Sequence, residues 1–227
     1  MYKIITIFFL FGVSACANEM ETDKLKINAH YSEPVDIYKH NIFATPHEFA
    51  ALQVEGGQVI SAIDGSVFEG IEPLSFHAKA EDKNYIIATQ SDFELGAYLT
   101  LYVQGDDGRF ELVDQTKPIG RSHRWLALSF AQDIDGNGYP EIGYVETPHI
   151  GGTGKLFEIV SDKLAYRAEF AGVSNHKIGS DEITGGVNDG IWHLPNQAMT
   201  SMIELTWSGK KLTKIGERPI TNERAQN

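Results

Sequence analysis

Carboxylate and amide side chains at alternating positions in the segment 133–141 have the types and spacing of a loop that binds a hard cation. Gly136 and Gly138 stand between them and let the backbone turn sharply. Ca²⁺ takes about six to eight oxygen ligands at about 2.3–2.6 Å. The sequence therefore predicts one Ca²⁺ site, whose ligands are Asp133, Asp135, Asn137, the carbonyl of Tyr139 and Glu141.

The loop matches an EF-hand over its first residues only. An EF-hand places a bidentate glutamate at the last of its loop positions, between two helices. That position is Tyr144 here, within the strand-like run 142–145. We therefore expect the loop to precede a β-strand. The same residue types form turns without any metal, so a solvated turn is the alternative.

Histidines are the other side chains of the chain that could do chemistry, and no two have metal-ligand spacing on one strand or helix. His149 and His176 lie near predicted strand ends, where binding residues are common. Together with His123 they are the candidate rim or ligand residues. The alternative role is a structural imidazole that donates to a backbone carbonyl. No Gly-x-Ser-x-Gly or phosphate-loop motif is present, so no reaction is indicated.

The elements that must position these residues have the pattern of short strands. Apolar and β-branched runs alternate with glycine-rich turns, and no segment has a helical period of helix length. The predicted strands are 51–54, 58–63, 84–89, 97–104, 110–114, 142–146, 155–160, 164–170, 202–207 and 212–215. An all-β fold is therefore expected.

An internal repeat of about fifty residues is typical of propeller blades. The sequence Leu-Ser-Phe at 74–76 recurs at 128–130, and a third copy begins near 183–186. Only the middle copy keeps a full metal loop. The corresponding loop of the first copy has Lys83 where a ligand would stand, and that of the third, Asn-Asp-Gly at 188–190, is shortened.

The loop and the strand that follows it resemble the FG-GAP and VCBS repeats of β-propeller proteins. Four further segments resemble short secreted bacterial proteins of this class: 68–73, 124–126, 144–149 and 174–179. The resemblance covers roughly residues 30–220. It implies a small all-β, propeller-like domain without an assigned activity. Three copies and the N-terminal strands indicate about four blades, and a β-sandwich is the alternative fold.

The first sixteen residues have the features of a signal peptide. An early lysine precedes the apolar segment 4–13, which is too short to span a bilayer. The segment ends in Val-Ser-Ala-Cys, which resembles a bacterial lipobox and predicts lipidation of Cys16. Ordinary cleavage near this cysteine is the alternative. Cys16 is the only cysteine, so no disulfide can form within the chain. Ala17 after the cysteine implies sorting to the outer membrane.

The rest of the chain divides into a polar tether at 17–28, a single domain at 29–220 and a C-terminal tail at 221–227. Acidic residues number 31 and basic residues 19, a formal net charge of −12. This balance argues against a nucleic-acid partner, because binding to phosphates needs a basic face.

The sequence predicts a non-catalytic, Ca²⁺-stabilised lipoprotein of the cell envelope, on the outer membrane and facing the periplasm or the exterior. Its expected partners are the membrane, through the lipid anchor, and a protein or glycan. One alternative is an envelope hydrolase whose active site lies on rim loops with His123, His149 and His176. The other is a carbohydrate-binding or adhesion module that uses exposed aromatic residues.

Overall fold

The computed structural model describes residues 27–220, and they form β-strands, turns and loops. The predicted signal peptide, Cys16, most of the tether and the C-terminal tail 221–227 lie outside the described residues. No helix within 27–220 has the length and apolar character needed to cross a lipid bilayer. The strands are β1 (Ala29–Pro34), β2 (Glu48–Val54), β3 (Gln58–Ser61), β4 (Ser66–Glu69), β5 (Leu74–Ala78), β6 (Lys83–Asp92), β7 (Gly96–Gln104), β8 (Phe110–Gln115), β9 (Leu126–Gln132), β10 (Glu141–Glu146), β11 (Thr153–Val160), β12 (Lys163–Ala171), β13 (Gly186–Asn188), β14 (Ile191–Pro195), β15 (Ser201–Trp207) and β16 (Leu212–Pro219).

The strands form three antiparallel sheets. An eight-stranded sheet has the order β1-β2-β4-β6-β7-β8, with β3 paired to β2 and β5 paired to β6. The second sheet has the order β12-β11-β10-β9, and the third has the order β13-β14-β15-β16. The all-β prediction is confirmed. The described residues form no closed propeller and divide into three sheets rather than four separate blades.

Each predicted strand coincides with an observed one, although the prediction for 58–63 extends two residues past β3. The sequence analysis did not predict the strands β1, β4, β5, β9, β13 and β14. Proline is compatible with β1 because this strand lies at a sheet edge and ends at that residue. Ile27, within the predicted tether, is buried in the core beside Leu52 and Val54.

The core has three parts. One lies between the large and second sheets, one lies between the second and third sheets, and one covers a face of the large sheet. Adjacent residues of a strand point to opposite faces, so Ile86 and Ile87 of β6 belong to different core clusters. In β10, Tyr144 packs towards the large sheet and Val145 packs towards the third sheet. Strand β10 is thus covered on both faces, which explains its continuous burial.

Strand β10 also connects the two candidate sites. Glu141 is its first residue and directly follows the predicted metal loop, whereas residues 147–150 continue from its last residue. A strand rises about 3.3 Å per residue, so the ends of this six-residue strand lie roughly 17 Å apart. The metal loop and His149 therefore lie at opposite ends of one buried strand.

Candidate calcium loop and histidine cavity

Asp133 organises the backbone of the predicted metal loop. Its Oδ1 accepts hydrogen bonds from the backbone N–H groups of Gly136, at 2.8 Å, and Asn137, at 3.1 Å. Its Oδ2 accepts from Gly138 N at 2.9 Å. Gly136 and Gly138 have φ angles of +77° and +88°, in the left-handed region that favours glycine. The alternation of glycines with polar residues therefore lets the loop close around this one carboxylate.

Three carboxylates converge at the start of β10. Asp133, Asp135 and Glu141 each offer one oxygen, and these oxygens lie within 4.8 Å of one another. Glu141 is 0% exposed. Its Oε2 accepts a hydrogen bond from Ile134 N at 2.9 Å, but its Oε1 is buried without a hydrogen-bond partner. The three acidic ligands predicted from the sequence are thus brought together, and one of them has an unsatisfied oxygen.

Burial makes ionised Glu141 unfavourable. Loss of hydration raises the pKa of Glu141 to about 7, the Ile134 N–H lowers it, and Asp135, Glu158 and Asp133 add repulsion. Within residues 27–220, no lysine or arginine forms an ion pair with the three clustered carboxylates. A buried unpaired carboxylate oxygen is costly unless a cation or donor meets it. The donor set, all oxygen and strongly anionic, fits Ca²⁺.

The two remaining predicted ligands have other contacts. Asn137 Nδ2 donates to Glu158 Oε1 at 2.8 Å, and Asn137 Oδ1 accepts from Tyr139 N at 2.7 Å. Glu158 also binds Arg167, whose Nε lies 2.7 Å from Glu158 Oε2. The second lone pair of the Asn137 amide oxygen stays available to a cation. Ligation by Asn137 and by the Tyr139 carbonyl stays a prediction.

The loop of the first repeat contains an internal cation. Lys83 Nζ lies 2.8 and 2.7 Å from the two carboxylate oxygens of Asp162 and 3.9 Å from Glu81 Oε2. The Tyr85 hydroxyl lies 2.7 Å from Asp162 Oδ1 and 2.8 Å from Glu81 Oε2, and it donates its one proton to this pair of carboxylates. Lys83 thus pairs mainly with Asp162 in the turn between β11 and β12, and Glu81 is the carboxylate of the first loop nearest to its ammonium group. That the first loop binds no Ca²⁺ stays a prediction.

The three repeat loops lie side by side. Ala80 N donates to Gly138 O at 3.0 Å, which joins the first loop to the metal loop. A Cβ on Gly190 of the third loop would lie 3.1 Å from Ile134 O. These contacts place the corresponding segments of all three copies at one end of the sheets.

The other end of the sheets contains a cavity of about 340 Å³, here named the histidine cavity. His40, His123 and His149 line it. His176 contacts His149, with His149 Nε2 at 2.8 Å from His176 Nδ1. The structure therefore brings the three histidines predicted as rim residues into one region and adds His40, which the sequence analysis did not select.

The hydrogen bonds of His176 determine which ring nitrogens of His176 and His149 carry protons. Nε2 of His176 lies 2.8 Å from the carbonyl oxygen of Ser180, so this nitrogen must carry a proton. In the neutral ring Nδ1 then accepts, so His149 donates through Nε2 and keeps a lone pair on Nδ1. Burial lowers the pKa of His149 to about 4, with smaller contributions from His176 and His40. Burial also lowers the pKa of His176, although Ser180 opposes the shift.

Two of the histidines have a structural role, in which the imidazole donates a hydrogen bond to a backbone carbonyl. His176 donates to the Ser180 carbonyl, and His123 Nε2 lies 3.0 Å from the Tyr38 carbonyl oxygen. His123 Nδ1 lies 2.9 Å from Ser122 Oγ, so both of its ring nitrogens have partners. These two imidazoles are therefore held by the fold and offer no free ring nitrogen to a ligand.

His40 is positioned by two buried glutamates. Its Nδ1 lies 2.7 Å from Glu69 Oε1, and Ser91 Oγ donates to the other oxygen of Glu69. Glu69 is 1% exposed. Glu48, also buried, accepts from the backbone N–H of His40 at 2.8 Å and of Tyr38 at 3.0 Å. The sequence feature that points to this contact is a glutamate in each of two strands with buried residues, Glu48 in β2 and Glu69 in β4.

Aromatic residues support the cavity from inside the fold. The Trp125 and His149 rings stack with centroids 6.1 Å apart and an interplanar angle of 18°. Trp125, Trp192 and Trp207 are 3%, 0% and 7% exposed. No tryptophan is therefore available at the surface as a stacking platform for a sugar.

Comparison with models of known protein families finds no match to this chain, and a search of curated proteins finds none either. The resemblance to FG-GAP and VCBS repeats therefore depends on the sequence motifs themselves.

Proposed function

We propose that this chain is a non-catalytic, Ca²⁺-stabilised binding module of the bacterial cell envelope, attached to the outer membrane through lipidated Cys16. The observation that carries the calcium part is the buried, unpartnered Oε1 of Glu141, whose carboxylate has an oxygen within 4.8 Å of oxygens of Asp133 and Asp135. A bound Ca²⁺ offsets two of the three negative charges and gives this oxygen a partner. The metal then fixes the start of β10.

An FG-GAP or VCBS-type propeller is the finer form of the fold that we propose. The eight-stranded sheet has the strand number of two blades, and each four-stranded sheet has that of one. Strand-to-strand contacts join the large sheet to β9–β12, and β9–β12 to β13–β16. The adjacent position of the three repeat loops supports this interpretation, because equivalent loops of successive blades lie at the same end of a propeller.

Membrane attachment is tested by fractionation of cells that express the full chain or its Cys16→Ser variant. We expect the wild-type chain in the outer-membrane fraction and the variant as an uncleaved or soluble product. Acyl chains provide the hydrophobic area that holds a protein on a bilayer. Wild-type chain found wholly in the soluble periplasmic fraction contradicts the anchor.

Calcium binding is tested by titration calorimetry of the chain without residues 1–16. We expect one site with a Kd of about 10⁻⁴–10⁻³ M, the range of extracellular modules. Two or three equivalent sites contradict the single-site proposal. Absence of any Ca²⁺-dependent heat at millimolar metal contradicts the calcium module.

A hydrolase is the second candidate function, favoured by the gathering of His123 and His149 at one cavity beside His176. Its support is smaller, because the second nitrogen of the imidazole that Ser122 contacts bonds to the Tyr38 carbonyl and not to a carboxylate, so the acidic member of a Ser-His-Asp triad is missing from this pair. A carbohydrate-binding module receives less support, because all three tryptophans are buried and the exposed aromatics Phe93, which is in the turn after β6, and Tyr166, which is in β12, belong to different sheets.

A further inference from the structure

The histidine cavity offers two hydrogen-bond acceptors. His40 Nδ1 is bound to the Glu69 carboxylate and carries the proton of that bond, so Nε2 has a lone pair whenever the ring is neutral. His149 Nδ1 has a lone pair because its Nε2 donates to His176. Neither free nitrogen is among the buried atoms without a partner in residues 27–220, so both are accessible from the cavity or solvent. A ligand with an O–H or N–H donor can therefore bind to either.

The same cavity has one permanent positive charge. Arg124 lines it and forms no ion pair within residues 27–220. No aspartate or glutamate is among the lining residues, although the chain contains 31 acidic side chains. Arg124 Nη1 lies 3.5 Å from the His123 carbonyl oxygen, and the guanidinium has no carboxylate partner among the described residues, so it is available to an external anion. The planar guanidinium matches a carboxylate through two parallel hydrogen bonds.

Apolar side chains form the remaining wall. Ile150 and Ile178 line the cavity and are 60% and 62% exposed, while Ile42 and Trp125 close it from the core. Exposed isoleucines on a binding wall lose water when a ligand covers them, which is favourable. The volume of about 340 Å³ is at the small end of ligand pockets.

We propose that the histidine cavity binds a small monocarboxylate that carries a neighbouring hydroxyl or ammonium group and a short apolar side chain. Arg124 binds the carboxylate, His40 or His149 accepts the hydrogen bond from the neighbouring donor, and Ile150 and Ile178 cover the side chain. A single arginine without any lysine favours one negative charge over a phosphate dianion. The proposal deepens the binding function proposed above and rests on it.

Titration calorimetry of the chain without residues 1–16, in saturating Ca²⁺, tests this proposal. The probes are 2-hydroxy-4-methylpentanoate and leucine, which share the carboxylate and side chain and differ in the donor. The comparison compounds are 4-methylpentanoate, which lacks the donor, and 2-hydroxy-4-methylpentanamide, which lacks the charge. We expect saturable binding of at least one probe, with both comparison compounds weaker by roughly tenfold, since each leaves a polar group of the cavity unpaired.

Substitutions of Arg124 and His40 test whether these residues bind the probes. Arg124→Gln should remove most of the preference for the carboxylate over the amide, and His40→Gln should weaken both probes. Arg109→Gln, in the exposed turn before β8, is the matched control and should bind as wild type. Melting curves verify folding, and Arg124 is half-buried, so its variant should fold even where His40→Gln does not.

Two results overturn the proposal: neither probe binds saturably, or Arg124→Gln binds the preferred probe as tightly as wild type does. The calcium proposal is judged by a separate measurement, the Ca²⁺ dependence of the melting temperature. Loss of carboxylate binding with an intact Ca²⁺ effect rejects the cavity ligand alone. Loss of the Ca²⁺ effect rejects the calcium module whatever the probes do.

Discussion

Lys83 Nζ lies 2.7 Å from Asp162 Oδ2, so an ammonium group compensates the acidic side chains beside the first repeat loop. Burial alone would raise the pKa of Asp162, but hydrogen bonds from Lys83 and Tyr85 hold this pKa below its usual value. The middle loop has no such internal cation among the described residues. One repeat copy thus uses a side-chain cation at the corresponding place, and we propose that the next uses Ca²⁺.

The Lys83→Met variant tests whether the two loops are independent. We expect the free energy of unfolding to fall by about 1 kcal/mol or less, because the lysine is 39% exposed and such pairs contribute little. Calorimetry should still give one Ca²⁺ site of unchanged affinity, since the metal loop keeps its carboxylates. A large change in Ca²⁺ affinity would show that the first loop takes part in the metal site.

Gly138 and Gly136 are matched sites for substitution within the metal loop, because they differ in what an added Cβ would contact. A Cβ on Gly138 would lie 3.1 Å from Ala80 Cβ and 3.3 Å from Ala80 N, whereas one on Gly136 meets nothing within 4 Å. Both have positive φ, for which alanine costs about 1–2 kcal/mol. We therefore expect Gly138→Ala to destabilise the fold more than Gly136→Ala does, and to weaken Ca²⁺ binding more.

Urea denaturation with Ca²⁺ and with chelator measures both effects of these glycine substitutions. Equal losses of unfolding free energy for the two variants would show that the contact with Ala80 has no energetic role. It would also weaken the view that the first loop supports the metal loop.

The sequence predicted much of the fold because strand pattern is a local property. Alternating apolar residues and turns of glycine or polar residues gave β7, β8, β11 and β12, whose hairpins need only neighbouring residues. Strand β1 was missed because its partner β2 begins beyond the loop that contains His40, so its pairing is not local. The number and closure of the sheets depend on contacts between sheets, which a pattern of strands does not encode.

The candidate site was predictable to the extent that its residues adjoin in sequence. Asp133, Asp135 and Glu141 lie within one loop, and the structure brings them together. The histidine cavity combines segments that are far apart in the chain. His40 could not be selected, because its significance comes from its contacts with Glu69 in β4 and with the edge-on ring of His123. The lone pair of His149 likewise depends on His176 and Ser180.

Acid should destabilise the end of the fold that contains the histidine cavity. His149 has a folded-state pKa of about 4, below its ordinary value of 6.5. Between these values the unfolded chain binds the proton and the folded chain does not, so stability is lost as pH falls from 6.5 through 4. His176, whose pKa is also lowered, acts in the same direction. The stability contribution is fully present above pH 6.5.

Melting temperatures at pH 5.0 and pH 7.5 and constant Ca²⁺ measure this dependence. The raised pKa of Glu141 acts in the opposite direction, so the comparison is made with wild type: on acidification, the melting temperature of His149→Gln should change less unfavourably, because glutamine binds no proton in this range. His30→Gln, which alters an exposed histidine of β1, should keep the wild-type loss. An identical acid response in His149→Gln and wild type would contradict the assignment of His149 as a buried neutral imidazole.

The central claim is that Ca²⁺ at the loop 133–141 stabilises the fold, and melting temperatures with Ca²⁺ and with chelator test it most directly. At free metal a hundred times Kd, wild type should gain about 2.7 kcal/mol, a rise of roughly 5–10 °C for a chain of this size. Asp135→Ala and Glu141→Gln should lose most of this rise and should melt in chelator no lower than wild type does, because each removes a repelling charge. Asp64→Asn, an exposed control in the turn before β4, should keep the rise. A wild-type melting temperature that is indifferent to Ca²⁺ would contradict the account and leave the loop as a turn.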